Sequence, residues 1–296
     1  MDERLFTHLA SWLAHEAVVL VAIIDTRGAT PRRRGARMLV TASGSALSIG
    51  GGLAEARVIE SARALLLSDG RERIVDIDLG GGADAAGICG GRMRLVLRRW
   101  QGEVDRQRAT SIAASLAAGE RVALSERDIG IALPDEFATP DSRLLIVGAG
   151  HCGEALYRLA RQIGFDVRIH DSRGECFADG RYDAAHVLCG DVSRLSEALE
   201  TARPILAVLL NRDFQADVAA LDLLCRHELA FLGMMGSRRR IATVRRALPQ
   251  FETELKQLIA PVGIDIDAQT PEEIAISILA QLIAARAARS ADASGA

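Results

Sequence analysis

The chain of 296 residues is nearly without lysine; Lys256 is the only one, and the other basic residues are arginine. Arginine suits bidentate recognition of phosphate and carboxylate, but a GC-rich coding bias gives the same composition. A net charge of -3 argues against general nucleic-acid binding. There is no CxxC. The five cysteines at 89, 152, 176, 189 and 225 are odd in number and match no zinc spacing. A disulfide framework is not expected, and most of these thiols read as small buried apolar groups. No apolar run reaches the length of a membrane span. The opening MDERLFTHLASWLAHEA lacks the basic head and apolar core of a signal peptide, so a cytoplasmic protein without membrane contact is expected. No internal repeat is visible.

What is present divides into two styles. The first part reads as an amphipathic helix (5–16), a buried strand VVLVAIID and a proline-fixed loop TRGATPRRRG. A hairpin (ARMLVT, ALSIG), a helix from Leu53 to Leu67 and two strands, RIVDIDL and RMRLVLRRW, follow. A helix near 104–118 and a short strand near 121–125 complete a small α+β unit, 1–134. PDEFATPDS (134–142), with two prolines, reads as a linker. From Arg143 strands and helices alternate as in a doubly wound parallel sheet, 143–289. The final helix has Thr270 as cap, Pro271 at its first position and Glu272 and Glu273 at its positive end. The tail SADASGA reads as disordered. The fold class is therefore α/β: a small α+β domain, then a Rossmann-like one.

VGAGHCG carries the clearest motif. Gly148, Gly150 and Gly153 form G-x-G-x-x-G between a strand and a helix, and Asp171 ends the next strand. In the dinucleotide frame Gly148 permits the turn, Gly150 admits phosphate to the helix N-terminus, and Gly153 lets helix and strand pack. Asp171 would accept from a ribose hydroxyl, and His151 would touch the ligand. A scaffold with an empty or reused pocket is the other reading. His170 and Cys152 read as structural.

Three features of the first part can hold an anion or a soft atom. Arg32, Arg33 and Arg34 lie in the proline-fixed loop, where a solvated turn is equally consistent. Gly50, Gly51 and Gly52 precede a helix, a nest-like anion site, with Glu55 in the first turn. LGGGADAAGICGGRMRLVL places Cys89 between glycines, Gly80 to Gly82 on one side and Gly90 and Gly91 on the other. The glycines suggest a bulky ligand close to the backbone. Arg92 and Arg94 would lower the thiol pKa, and a thiolate binds soft metals or carries sulfur. A structural cysteine in a glycine-rich turn is the alternative.

Together these segments, with DSRGE, LGMMGSRRR and GIDIDAQTPEEIAISILAQLIAAR, resemble the XdhC/CoxI family, the xanthine dehydrogenase accessory proteins. The resemblance covers essentially the whole chain. It implies binding of the molybdenum cofactor (molybdopterin), its protection during sulfuration by a cysteine desulfurase, and delivery to an apo molybdenum hydroxylase such as xanthine dehydrogenase. A maturation chaperone rather than an enzyme, a homodimer and a setting in purine catabolism are implied with it. Cys89 matches the family's C-G-G element and would meet molybdenum or its sulfur; a nucleotide in the Rossmann pocket is a further expectation. Asn211-Arg212 stands where the family often has Thr-His, Cys152 where it usually has valine, Asp267 where glycine is common and Gln281 where glutamate is. Asp213 and Asp217 match the acidic positions after that pair. Two other functions compete: an NAD(P)-dependent Rossmann oxidoreductase, for which no acid/base pair is visible, and an adaptor that holds no cofactor.

Overall fold

A computed structural model describes residues 1–81, 85–87 and 89–293, without the side chains of Arg238 and 290–293. The chain forms two compact units, Met1–Pro140 and Asp141–Ala296.

The first unit is built on a five-stranded antiparallel sheet. β1 (Val18–Arg27) pairs with β2 (Arg37–Val40), and β2 pairs with β3 (Ser45–Leu47). β4 (Glu72–Asp78) pairs with β5 (Arg92–Trp100), and β5 lies beside β1, giving the order β3-β2-β1-β5-β4. The middle of β1 and β5 is apolar on successive residues because both faces are covered. α1 (Asp2–Trp12) and α3 (Gly102–Ala117) bury Leu5, Phe6, Leu9, Ile112 and Leu116 against Leu20, Ala22, Val96 and Trp100. α2 (Gly52–Leu66) buries Val58, Ala62 and Leu65 against Val19, Val21, Ile23, Leu95 and Leu97 on the other face. A short ladder of β6 (Val122–Ala123) and β7 (Phe137–Ala138) flanks α4 (Glu126–Ile129).

The stretch read as a linker is therefore part of the first unit as far as Pro140. Arg37 accounts for much of this. Its guanidinium is buried and donates to Asp2 (2.8 Å), Glu136 (2.5 Å) and the Phe137 carbonyl (3.2 Å). Two prolines and little apolar content do not report such a tie.

The second unit has a parallel sheet, β8 (Arg143–Val147), β9 (Asp166–Asp171), β10 (Val187–Cys189), β11 (Ile205–Leu209) and β12 (Phe231–Met234), in the order β10-β9-β8-β11-β12. α5 (His151–Gln162) and α10 (Pro271–Ala293) cover one face through Leu156, Tyr157, Ile278 and Leu282. α6 (Leu195–Leu199), α7 (Phe214–Leu224), α8 (Arg238–Ala247) and α9 (Glu252–Lys256) cover the other. This is the Rossmann-like order, and it reverses direction between β8 and β11. Thr270 caps α10, as its sequence predicts, and the Glu273 carboxylate reciprocates by accepting from the Thr270 amide. α10 continues through the first part of the tail read as disordered; 294–296 lie outside the described residues. Among the described residues no helix is long and apolar enough to cross a membrane.

Candidate functional site

In the first unit the β4–β5 ladder is prolonged past the strands by backbone bonds Leu79 N–H to Gly91 (2.9 Å) and Gly90 N–H to Leu79 (2.8 Å). These fix the stem of the cysteine loop and leave Cys89 exposed at its end. What approaches the glycines is the chain itself. A Cβ on Gly91 would lie 2.2 Å from the Ala29 carbonyl oxygen and 2.7 Å from that of Arg27. Gly28, at φ +67°, would meet the Gly90 carbonyl oxygen at 2.9 Å. Only a side-chain-free backbone allows 27–29 and 90–91 to lie this close. Gly90 itself faces open space. Gly82 and Ile88 lie outside the described residues.

The arginines expected to activate the thiol have carboxylate partners. Arg94 donates twice to Asp76 (2.8 and 3.0 Å), and Arg92 lies 3.9 Å from Asp78. The bond from Arg94 lowers the Asp76 pKa, and the same bond raises that of Arg94. Across the ends of β1, β5 and β4 two charged rows result, Asp25–Arg94–Asp76 and Arg27–Arg92–Asp78. They line a groove of 340 Å³. Sequence reasoning misses Asp25, Arg27, Asp76 and Asp78. Their two-residue spacing in DTR and DID, which puts each pair on one face of its strand, is the available signal, but pairing across strands decides where they meet.

The glycine triplet before α2 is a nest already filled. Glu55 Oε2 accepts from the Ile49 and Gly51 amides (3.0 Å each) and from the Ser48 hydroxyl (2.6 Å). Burial works to raise the Glu55 pKa, but the Ser48, Gly51, Ile49 and Gly50 bonds outweigh it and lower the pKa. The anion these amides hold is an internal carboxylate. Gly50 is required for a different reason: a Cβ there would lie 2.5 Å from Pro31, so the arginine loop rests on it. Gly51 and Gly52 have positive φ and open surroundings. Arg32 is exposed and borders a pocket of only 100 Å³.

In the second unit each fingerprint glycine has a separate physical cause. Gly148, at φ +118°, would place a Cβ 2.9 Å from Asn211 Oδ1. Gly153 would place one 1.9 Å from the Gly148 carbonyl oxygen, so α5 sits hard against the turn. Gly150 caps α5 with open space around it. His151 is exposed at the first helical position. Cys152 is half-buried, and burial raises its pKa, opposed by the nearby Arg212 guanidinium. His170 is buried, with Nε2 at 3.2 Å from the Gly190 carbonyl oxygen.

Asp171 is engaged by the chain's own donors. Its Oδ2 accepts from the Ala149 amide (2.8 Å) and Arg173 Nη2 (2.8 Å), and its Oδ1 from the Arg173 amide (3.0 Å) and Nε (2.9 Å). Burial raises its pKa, but these bonds prevail and hold it at about 2. Sequence reasoning does not single out Arg173. Its place two residues after Asp171 in DSR is the signal.

At the reversal point Asp217 of α7 is buried and bonded to Arg240 of α8, which also donates to the Arg212 carbonyl (2.7 Å). Burial raises the Asp217 pKa despite that guanidinium. The Asn211-Arg212 pair therefore has structural duties: Asn211 packs on Gly148, and the Arg212 backbone anchors α8. Asp267 adopts a left-handed φ of 56°, a conformation in which glycine has no strain. Gln281 accepts from the Gly263 amide (2.8 Å).

Comparison with known proteins supplies the family. Models of the XdhC and CoxI family and of the XdhC Rossmann domain match residues 11–78 and 144–282. The chain belongs to the XdhC/CoxI family. A relative in Escherichia coli K12, the uncharacterised protein YqeB, is 32% identical over 89% of this chain and 42% of its own length. A protein of Bacillus subtilis 168 described as a probable subunit of xanthine dehydrogenase is 28% identical over 50% of this chain and 44% of its own. The chain thus spans less than half the length of these two relatives. The molybdenum cofactor insertion chaperone PaoD of E. coli K12 is 27% identical over 93% of this chain and 85% of its own. A solved structure described as a xanthine dehydrogenase from Bacillus halodurans matches with a TM-score of 0.81 at 25% identity, over 97% of this chain and 96% of that one.

Proposed function

We propose that this XdhC/CoxI protein carries the molybdenum cofactor as cargo, holds it during sulfuration and hands it to an apo molybdenum hydroxylase of the xanthine dehydrogenase type. The observation that carries the reading is Cys89: an exposed thiol on a loop whose stem is locked by the chain's own backbone. A metal that arrives with two dithiolene sulfurs needs few protein donors, and a thiolate is a soft one. The groove at the ends of β1, β4 and β5 falls in the ordinary range for small ligands, roughly 300–1,000 Å³. Its carboxylates suit the donor edge of a pterin and its guanidiniums suit a phosphate tail. The likeness to PaoD along most of both chains supports the same role. In this reading the chain is a maturation chaperone rather than a catalyst. It works in the cytoplasm, as a homodimer, with a cysteine desulfurase and the apo hydroxylase as partners.

The test is molybdenum retained per chain after isolation from a cofactor-producing host, with activation of a co-expressed apo hydroxylase. Cys89→Ser keeps nearly the same volume but replaces sulfur by a hard oxygen donor, so both readouts should fall several-fold, ~1 kcal/mol or more. Cys189→Ser, at another exposed thiol, should match wild type. Equal behaviour of the two variants overturns the assignment of Cys89.

A further inference from the structure

The Rossmann order and the glycine fingerprint imply a dinucleotide, and the residues of the second unit fit one half of it. The phosphate half is open: a Cβ on Gly150, at the start of α5, would have no atom within 4 Å. The ribose half is not. In the dinucleotide frame the acidic residue ending the second strand accepts from the ribose hydroxyls. A carboxylate offers about four acceptor positions. Asp171 has all four engaged, two by the Arg173 side chain, one by its amide and one by the Ala149 amide. The guanidinium meets the carboxylate as a two-pronged pair, so it occupies the directions from which a diol would donate. The Asp171 side chain is only 4% exposed, whereas that of Arg173 is 57% exposed. The lid is therefore on the solvent side, and its removal does not open the core.

We propose that Arg173 is a specificity-determining residue that excludes a nucleotide ribose from this crevice, so the second unit keeps the frame of a dinucleotide site and rejects NAD(H). This is independent of the molybdenum reading, because nothing in its test involves molybdenum or a hydroxylase.

The experiment titrates the 296-residue chain, both units included, with NADH by fluorescence, and with ADP and 2′,3′-dideoxy-ADP by calorimetry. Wild type should bind NADH weakly and should not distinguish ADP from the dideoxy analogue. Arg173→Ala should bind ADP at least roughly tenfold more tightly than wild type, with no gain for the analogue, because the freed carboxylate pairs only with hydroxyls. Arg173→Lys, which keeps the charge but loses the planar fork, should fall between them. Circular dichroism establishes that each variant is folded. A wild-type protein that prefers ADP over the dideoxy analogue about tenfold, or a folded Arg173→Ala with no diol-dependent gain, overturns the proposal. Should Arg173→Ala not fold, the wild-type comparison and Arg173→Lys decide it.

Discussion

Glu55 and Asp171 each close an amide-lined cup with the protein's own charge. A spacing of glycines before a helix announces such a cup. It does not say whether the anion that fills it is foreign or is already present a few residues away. The site was legible to that extent and no further: the positions were readable, but the competition for them was not. The same holds for Arg92 and Arg94, whose cross-strand carboxylates come from another segment of the chain. The pH response follows from the sign. Asp171 has a pKa of about 2, below its ordinary value. Its contribution is present above the unfolded carboxylate pKa and is lost as pH falls through the folded one. Asp171→Asn should destabilise the second unit at neutral pH by an amount on the order of 2 kcal/mol, read as a lower melting temperature. The gap between variant and wild type should close as the acid limb is descended. A gap unchanged down to the acid end, measured by thermal melts across pH, contradicts this.

The fingerprint glycines separate cleanly at the level of the strand–turn–helix element. Gly153→Ala drives a methyl into the Gly148 carbonyl, a clash that only movement of α5 can relieve. A loss of ~3 kcal/mol or more is expected. Gly150→Ala meets open space at an ordinary backbone conformation and should cost at most ~1 kcal/mol, as a weaker N-cap. Thermal denaturation of the two variants is the comparison; equal losses would mean that the turn and helix do not touch as described. Elements with long apolar runs or a clear period, such as β1, β8, α5 and α10, were legible because burial and periodicity act over many residues. β7 and α4 were not, since two and four residues carry no period. The sheet order β3-β2-β1-β5-β4 was also hidden, because antiparallel partners far apart in sequence leave no local mark.

Over the whole molecule, the connection between the units is shorter than its composition suggests. Thr139 donates its amide to Asp2 (2.9 Å), and the Asp141 carbonyl accepts from Arg203 (2.7 Å). Pro140 alone stands between these ties. Limited proteolysis should therefore spare 134–138 despite Pro134 and the little apolar content, and separately expressed 1–140 and 141–296 should each melt cooperatively. A first cut within 134–138, mapped by mass spectrometry, would count against this boundary. The bond from Thr139 to Asp2 has another consequence. It brings the beginning and the end of the first unit side by side, and domains whose ends meet tolerate rewiring. Joined head to tail through a short glycine linker and reopened at the exposed residues 42–43 of the turn between β2 and β3, the first unit should fold as a circular permutant.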